Sequence, residues 1–331
     1  VRTATLGRTT VPVTALGFGA APIGNLYRPV PDVDAHDAVR AAWAAGVRYF
    51  DTAPHYGLGL SERRLGAVLA EQPRVDFTLS TKVGRILAEY DGGGDDLANG
   101  FDVLASHRRV WDFSADGVRR SLESSLDRLG LDRVDVVLLH DPDDHWAEAA
   151  GKGFPALAEL RDQGVIGAIG VGMNQWEMPA RFIRETEIDV VMLAGRYSLL
   201  EQPAAAEFLP LCLEHKVSVL AAGVFNSGLL SRHEIPVGAK YNYADAPPEL
   251  VDRARAIAAV CERHGVTLPQ AAIQFAFGHP AIASVVIGAR TGAQMSQNAE
   301  LVANPVPPAL WAELRERDLL AADVSGPGEQ A

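Results

Sequence analysis

Two hydrophobic rhythms alternate along the chain. Runs that are apolar at nearly every position recur at 47–51 (VRYFD), 77–82 (FTLSTK), 134–140 (VDVVLLH), 166–171 (IGAIGV), 188–193 (IDVVML), 217–221 (VSVLA) and 282–287 (IASVVI). Such continuous apolarity over so few residues predicts strands buried on both faces. Between them, 39–45, 61–70, 117–129, 154–162 and 203–215 repeat their apolar residues at the helical period. Strands that alternate with helices require crossover connections and a parallel sheet.

The run 15–20 (ALGFGA) adds a first strand. About eight strand and helix units then follow one another with no linker or change of composition midway, which predicts an α/β fold of the closed (β/α)₈, TIM-barrel type. A doubly wound sheet is the alternative. Turn-like Gly7 and Arg8, between TATL and TTVPV, predict an N-terminal hairpin suited to plugging the barrel floor. A helical stretch at 248–264 precedes another at 268–277, so one helix is additional to the repeat, and 309–320 reads as a final helix. One barrel domain over 1–324 is expected, with the small, polar segment 325–331 (SGPGEQA) as a flexible tail. Two long excursions, 84–113 and 231–247, leave the C-terminal ends of the third and seventh strands, where they can wall a pocket.

Composition narrows the function. The chain has 331 residues, 48% of them hydrophobic, enough to bury a large core. Its net charge of −12 repels phosphate backbones and anionic lipid, so neither nucleic acid nor a membrane surface is an expected partner. No basic-then-apolar leader and no run of about 18 apolar residues is present, and a cytoplasmic location is expected. Cys212 and Cys261 belong to no ligand spacing. They are expected to be reduced, buried hydrophobes, and no metal site is expected.

The ends of the strands carry the candidate chemistry. Asp51 closes the second strand, with Tyr56 five residues on; Lys82 closes the third and His140 the fourth. Alone, each has a structural explanation: a turn residue, a packed phenol, a surface ion pair, a core histidine. Together they fall on one rim of a barrel, where ionisable groups without partners would be costly. A free phenol, with a pKa of about 10, is a poor base near neutrality. A cation beside Tyr56 favours the phenolate, Lys82 can be that cation, and Asp51 can orient it. His140 can then hold a substrate oxygen while Tyr56 exchanges its proton. The run HDPDDH (140–145) leaves a metal-dependent hydrolase or isomerase as a rival, and a barrel that binds a cofactor without turnover is a second.

The segments DTAPHYG (51–57), STK (80–82) and LLHDP (138–142) resemble those of the aldo-keto reductases, and LGFGA, RYSLLE and GARTGAQMSQN extend the resemblance over nearly the whole chain. It implies a barrel oxidoreductase with Asp51, Tyr56, Lys82 and His140 as catalytic tetrad and NAD or NADP as cofactor. WDFSADGVRRSLESSLDRLGLDRVDVVLLHDPDD, GVGMNQWEM and LAAGVFNSGLL resemble more narrowly the bacterial branch of L-fucose and D-threo-aldose 1-dehydrogenases and pyridoxal 4-dehydrogenase. That branch implies oxidation of a cyclic hemiacetal, as an aldose such as L-fucose or D-arabinose at C1, or as pyridoxal. General aldehyde or ketone reduction is the wider family alternative.

The resemblance also implies cofactor contacts. Asn174, with Met173 as the alternative, is matched to the carboxamide contact, and Tyr197 to the nicotinamide neighbourhood. The usual Gln and stacking Tyr are replaced by Ala194 and Ala222. Phe225, Ser227, Gly228 and Leu230 match the pyrophosphate loop, and Asn298 the adenine contact. Gln294 stands where a basic residue commonly meets the 2′-phosphate of NADP, leaving Arg290 as the nearby charge, so NAD is favoured. The alternative is that Arg290 and Asn298 merely cap the following helix.

Overall fold

Eight parallel strands close into a barrel, each paired with its neighbour in sequence and the last with the first. In the computed structural model, which describes residues 2–242 and 244–329, these are β1 (Leu16–Gly19), β2 (Tyr49–Asp51), β3 (Thr78–Val83), β4 (Val136–His140), β5 (Ala168–Met173), β6 (Val190–Ala194), β7 (Ser218–Ala222) and β8 (Ile282–Ile287). Every expected strand is present. Several ladders begin inside the apolar run, because residues such as Val134 and Ile166 are buried against helices before the pairing starts.

Ten helices of eight or more residues flank the described barrel: α1 (Asp32–Ala44), α2 (Leu60–Leu69), α3 (Ala115–Leu129), α4 (Phe154–Asp162), α5 (Glu177–Glu185), α6 (Phe208–His215), α7 (Pro248–Arg263), α8 (Leu268–Ala276), α9 (Gly292–Ala303) and α10 (Pro308–Glu316). α3 shows why they form. Ser114 caps it by accepting from Gly117 N, Val118, Leu122, Ser125 and Leu129 repeat along its buried side, and Gly130 ends it in the left-handed region. The expected helix at 203–215 starts only at Phe208, after turns in which Ala204 N bonds to Arg196 O. The final helix stops short of 320 because Asp318 turns left-handed. No described helix is long and apolar enough to cross a membrane.

Alternation along each strand separates two cores. Tyr49, Val136, Leu138, Ala168, Val190, Met192 and Leu220 fill the barrel interior, while residues between them pack outward on the helices. The floor is sealed as expected by a hairpin, Thr3–Thr5 with Pro12–Thr14, which sends Leu6, Val11 and Val13 into the interior cluster. Gly7 at its turn has φ +54, and a Cβ there would lie 2.4 Å from Asp189 O.

The excursion at 84–113, expected as an open loop, is instead a β-structured arm. Arg85–Glu89 pairs antiparallel with His107–Trp111, and Asp95–Asp96 with Phe101–Leu104. Phe101 forms a bridge with Leu26, which ties the arm to the loop after β1. The second excursion holds a short hairpin, Lys240–Tyr241 with Ala244–Asp245. The expected tail corrects in part: Glu329 pairs with Arg315, and Gly326 lies against the ring of Trp311, so 325–329 folds back on α10. Residues 330–331 lie outside the described residues.

Candidate active site

The C-terminal mouth of the barrel is divided into a charged half and a small-residue half. In the charged half, Asp51, Lys82 and His140 are the last inward-facing residues of β2, β3 and β4. Lys82 Nζ donates to Asp51 Oδ2 at 2.7 Å and to Thr52 O at 3.0 Å. Tyr49 and Ser80 hold the other side of the carboxylate: Ser80 Oγ donates to Asp51 Oδ1 at 2.7 Å, so the Tyr49 hydroxyl donates to Ser80 at 2.9 Å. Gly172 on β5 leaves the room Lys82 needs, since a Cβ there would meet Lys82 Cε at 3.3 Å.

Tyr56 arrives from the turn between β2 and α2. Thr52 Oγ1 and Ser61 Oγ share a hydrogen bond, and Ser61 Oγ donates to Ala20 O, which pins both ends of the turn to the barrel. Gly57, at φ +61, lets the chain pass against Gly24, whose carbonyl oxygen would lie 2.1 Å from a Cβ. The Tyr56 ring then lies with its centroid 4.7 Å from Lys82 Nζ and 5.9 Å from the perpendicular ring of His140. All four residues singled out by sequence are brought together.

Their ionisation departs from one expectation. Burial raises the Tyr56 phenol above its ordinary value; Lys82 opposes that rise but does not reverse it. Lys82 itself is disfavoured as a cation by burial, but Asp51 and Tyr56 outweigh this and it stays protonated. Burial, with Arg85 and Lys82 nearby, holds His140 well below the usual histidine range, hence neutral. Its Nδ1 is buried without a partner, and its Nε2 lies 3.7 Å from Asp141 Oδ2.

In the other half, Ala194 ends β6 and Ala222 ends β7, side by side in the ladder and half-exposed. Counting inward from Val190, Met192 and Leu220, both face the mouth. Gly19, at the end of β1 across β8, adds a third small residue to this half of the mouth. The turn after β7 follows directly. Asn226 and Ser227 are consecutive left-handed residues and Gly228 has φ +98, and the N–H groups of Asn226, Gly228, Leu229 and Leu230 bond to carbonyls of the same turn, which fixes its shape.

Cations gather beside this turn. Tyr27 hydrogen bonds to Ser227 and feels the charges of Arg290 and Lys240, and Arg290 feels Arg28. Arg290 Nη2 donates to Leu26 O at 3.0 Å while its Nε is buried and unpaired. A cluster of cations beside the half-exposed Ser227 and Gly228 suits a diphosphate. The residues present therefore fit a nicotinamide nucleotide.

Other expected contacts lie elsewhere. Leu230 is fully buried as an anchor of the turn, whereas Phe225, Ser227 and Gly228 are half-exposed. Asn174 is exposed beyond β5 and its carbonyl accepts from Arg196 Nε at 2.7 Å; Met173, the alternative, points outward into the helical core. Tyr197 does not join the site: it is buried against Phe275 and His279. Gln294 Oε1 accepts from Arg290 N at 2.9 Å and Thr291 caps α9, so the capping reading describes Gln294 and Thr291 rather than Arg290. Asn298 lies half-exposed one turn beyond Gln294. The HDPDDH run disperses, with Asp141 paired to Arg85 and His145 packed against Trp111; no group of three or more His, Cys, Asp or Glu among the described residues is arranged to hold a metal ion. Cys212 and Cys261 are buried and free, and burial pushes both thiols up to about 12.

A barrel carrying this constellation at its mouth belongs to the aldo/keto reductase family, whose model matches residues 15–318. The chain is 49% identical to D-threo-aldose 1-dehydrogenase of a Pseudomonas species, over 93% of this chain and 95% of that protein. It is 40% identical to pyridoxal 4-dehydrogenase of Microbacterium luteolum, over 96% of this chain and 97% of that one. Among solved structures, the holo form of an aldo-keto reductase from Bacillus halodurans superposes with a TM-score of 0.74 at 26% identity, covering 99% of this chain and 98% of that chain. The protein is an NAD(P)-dependent oxidoreductase.

Three groups at the site were not read from the sequence: His55, Arg85 with Asp141, and the Arg109–Asp96 pair of the arm. His55 sits beside Tyr56 within DTAPHYG, and Arg109 alternates with His107 and Trp111 along one strand. That alternation was the available signal.

Proposed function

We propose that the protein oxidises a cyclic hemiacetal, an aldose at C1 such as L-fucose or D-arabinose, to the lactone. The nicotinamide nucleotide, when bound, supplies the hydride acceptor. The observation that carries the reading is Lys82, held between Asp51 and the Tyr56 ring. The anomeric hydroxyl proton passes to the Tyr56 phenolate as hydride leaves C1, and Lys82 stabilises that phenolate. Neutral His140 holds the substrate oxygen through Nε2, the ring nitrogen that is not sealed from the mouth. The same groups run the reverse reduction with Tyr56 as acid.

An aldose is preferred over pyridoxal on the strength of the 49% identity to an aldose dehydrogenase; the 40% identity to a pyridoxal dehydrogenase makes pyridoxal the second reading. NAD is preferred over NADP because Gln294 brings no charge and its amide oxygen is occupied by Arg290 N. A cytoplasmic location suits the two free, buried thiols. The test is absorbance of the reduced nicotinamide during incubation with L-fucose, D-arabinose or pyridoxal and either nucleotide. Fastest turnover is expected with an aldose and NAD. A protein that binds the nucleotide tightly and turns over no hemiacetal would be a non-catalytic barrel, and the proposal would fail.

A further inference from the structure

A second histidine, His55, precedes Tyr56 in the turn after β2 and is fixed from the arm by a network the four-residue chemistry does not use. His55 Nδ1 accepts from Arg109 Nε, and Arg109 Nη2 donates to His55 O at 2.9 Å. The same guanidinium pairs with both oxygens of buried Asp96, at 2.7 and 2.6 Å. Arg109 is thereby held from two sides and cannot turn away from the imidazole. Phe101, from the same arm, packs edge-on to His55 with ring centroids 5.2 Å apart.

A guanidinium N–H can only donate, so the Nδ1 it meets must be the bare nitrogen and the ring proton must sit on Nε2. Burial and the charges of Arg85, Arg109 and Lys82 hold His55 down at about 2, so the ring is neutral throughout the working range. Nε2 has no protein partner among the described residues and, unlike His140 Nδ1, is not sealed from solvent. The ring lies 5.5 Å from His140 and 6.1 Å from Tyr56, centroid to centroid. A cavity of about 400 Å³ opens within the arm; Arg109 lines it, together with Arg85, Asp96, Asn99 and Trp111, and His55 does not. A single fixed N–H donor thus stands beside the Tyr56 and His140 rings, held by a guanidinium that itself lines a polar cavity.

We propose that His55 is a specificity-determining residue, locked by Arg109 as a donor from Nε2 to a ring hydroxyl of a polyhydroxylated hemiacetal. This deepens the hemiacetal reading and rests on it. Arg109 acts through His55 and is a positioning residue.

The test compares two hemiacetals that react alike at the anomeric carbon, L-fucose and tetrahydropyran-2-ol, which lacks the other ring hydroxyls. The readout is the ratio of their kcat/KM values, with nucleotide binding followed by fluorescence as the check on folding. In His55→Phe that ratio should fall about tenfold, the worth of one net hydrogen bond, chiefly through KM for L-fucose. His55→Gln keeps an N–H donor and should recover part of the ratio. A ratio unchanged in His55→Phe, equal losses on both substrates, or no recovery with Gln would overturn the proposal. Wild-type protein inert toward both hemiacetals would instead remove the hemiacetal reading, and this inference with it.

Discussion

At the scale of single residues, the site turns on a conflict between burial and charge. Burial pushes the Tyr56 phenol up, and Lys82 pulls it part of the way back. Oxidation needs the phenolate, so kcat for hemiacetal oxidation should climb from pH 7 toward pH 10, by at most about tenfold per pH unit. Removing the opposing cation raises the phenol further. Asp51→Asn with Lys82→Met, made together so that no charge is left buried alone, should lower kcat at neutral pH and displace the rising limb upward. A flat profile in the wild type, or an unmoved limb in the double variant, would show that Tyr56 does not carry the proton. Asp51, Lys82 and His140 were legible because each is ionisable and closes an apolar run, and Tyr56 because it follows the first of them by five residues. Their net electrostatics were not, because desolvation depends on how tightly the third dimension closes around the phenol.

At the scale of elements, the barrel was legible and its edges were less so. Continuous apolar runs marked all eight strands, since strands buried on both faces leave little room for polar residues. The arm was misread as a loop: its ladder is half-exposed, so residues such as Arg109 and Trp111 alternate without an apolar face to reveal the strand. His55 went unremarked for a related reason, because its partner lies on that arm, 54 residues away in sequence. The floor hairpin was legible from its turn and its alternation. Leu6 is completely buried in the barrel interior, so Leu6→Ala should cost about 2–5 kcal/mol of stability by denaturant unfolding. The distance from floor to mouth should leave kcat within about twofold, as expected for sites that do not share contacts. A loss below about 0.5 kcal/mol would mean that the hairpin does not seal the core.

At the scale of the whole molecule, a net charge of −12 coexists with a local gathering of Arg28, Lys240 and Arg290 beside the turn after β7. The overall field disfavours large polyanions, while this cluster suits a small one. Composition made the first half of that statement legible. The cluster was only partly so, because Arg28 comes from a loop and Lys240 from a short hairpin that only folding brings to Arg290. The same limit applies to Tyr197, which motif spacing put near the nicotinamide and which the fold turns toward Phe275 and His279. Fold, reaction class and proton path meet in one residue, so the most direct measurement is turnover of L-fucose or D-arabinose with NAD by Tyr56→Phe. The account predicts a loss of about 10²–10⁴-fold in kcat, the usual worth of a positioned acid/base, with nucleotide affinity retained; near-normal kcat in this variant would contradict it.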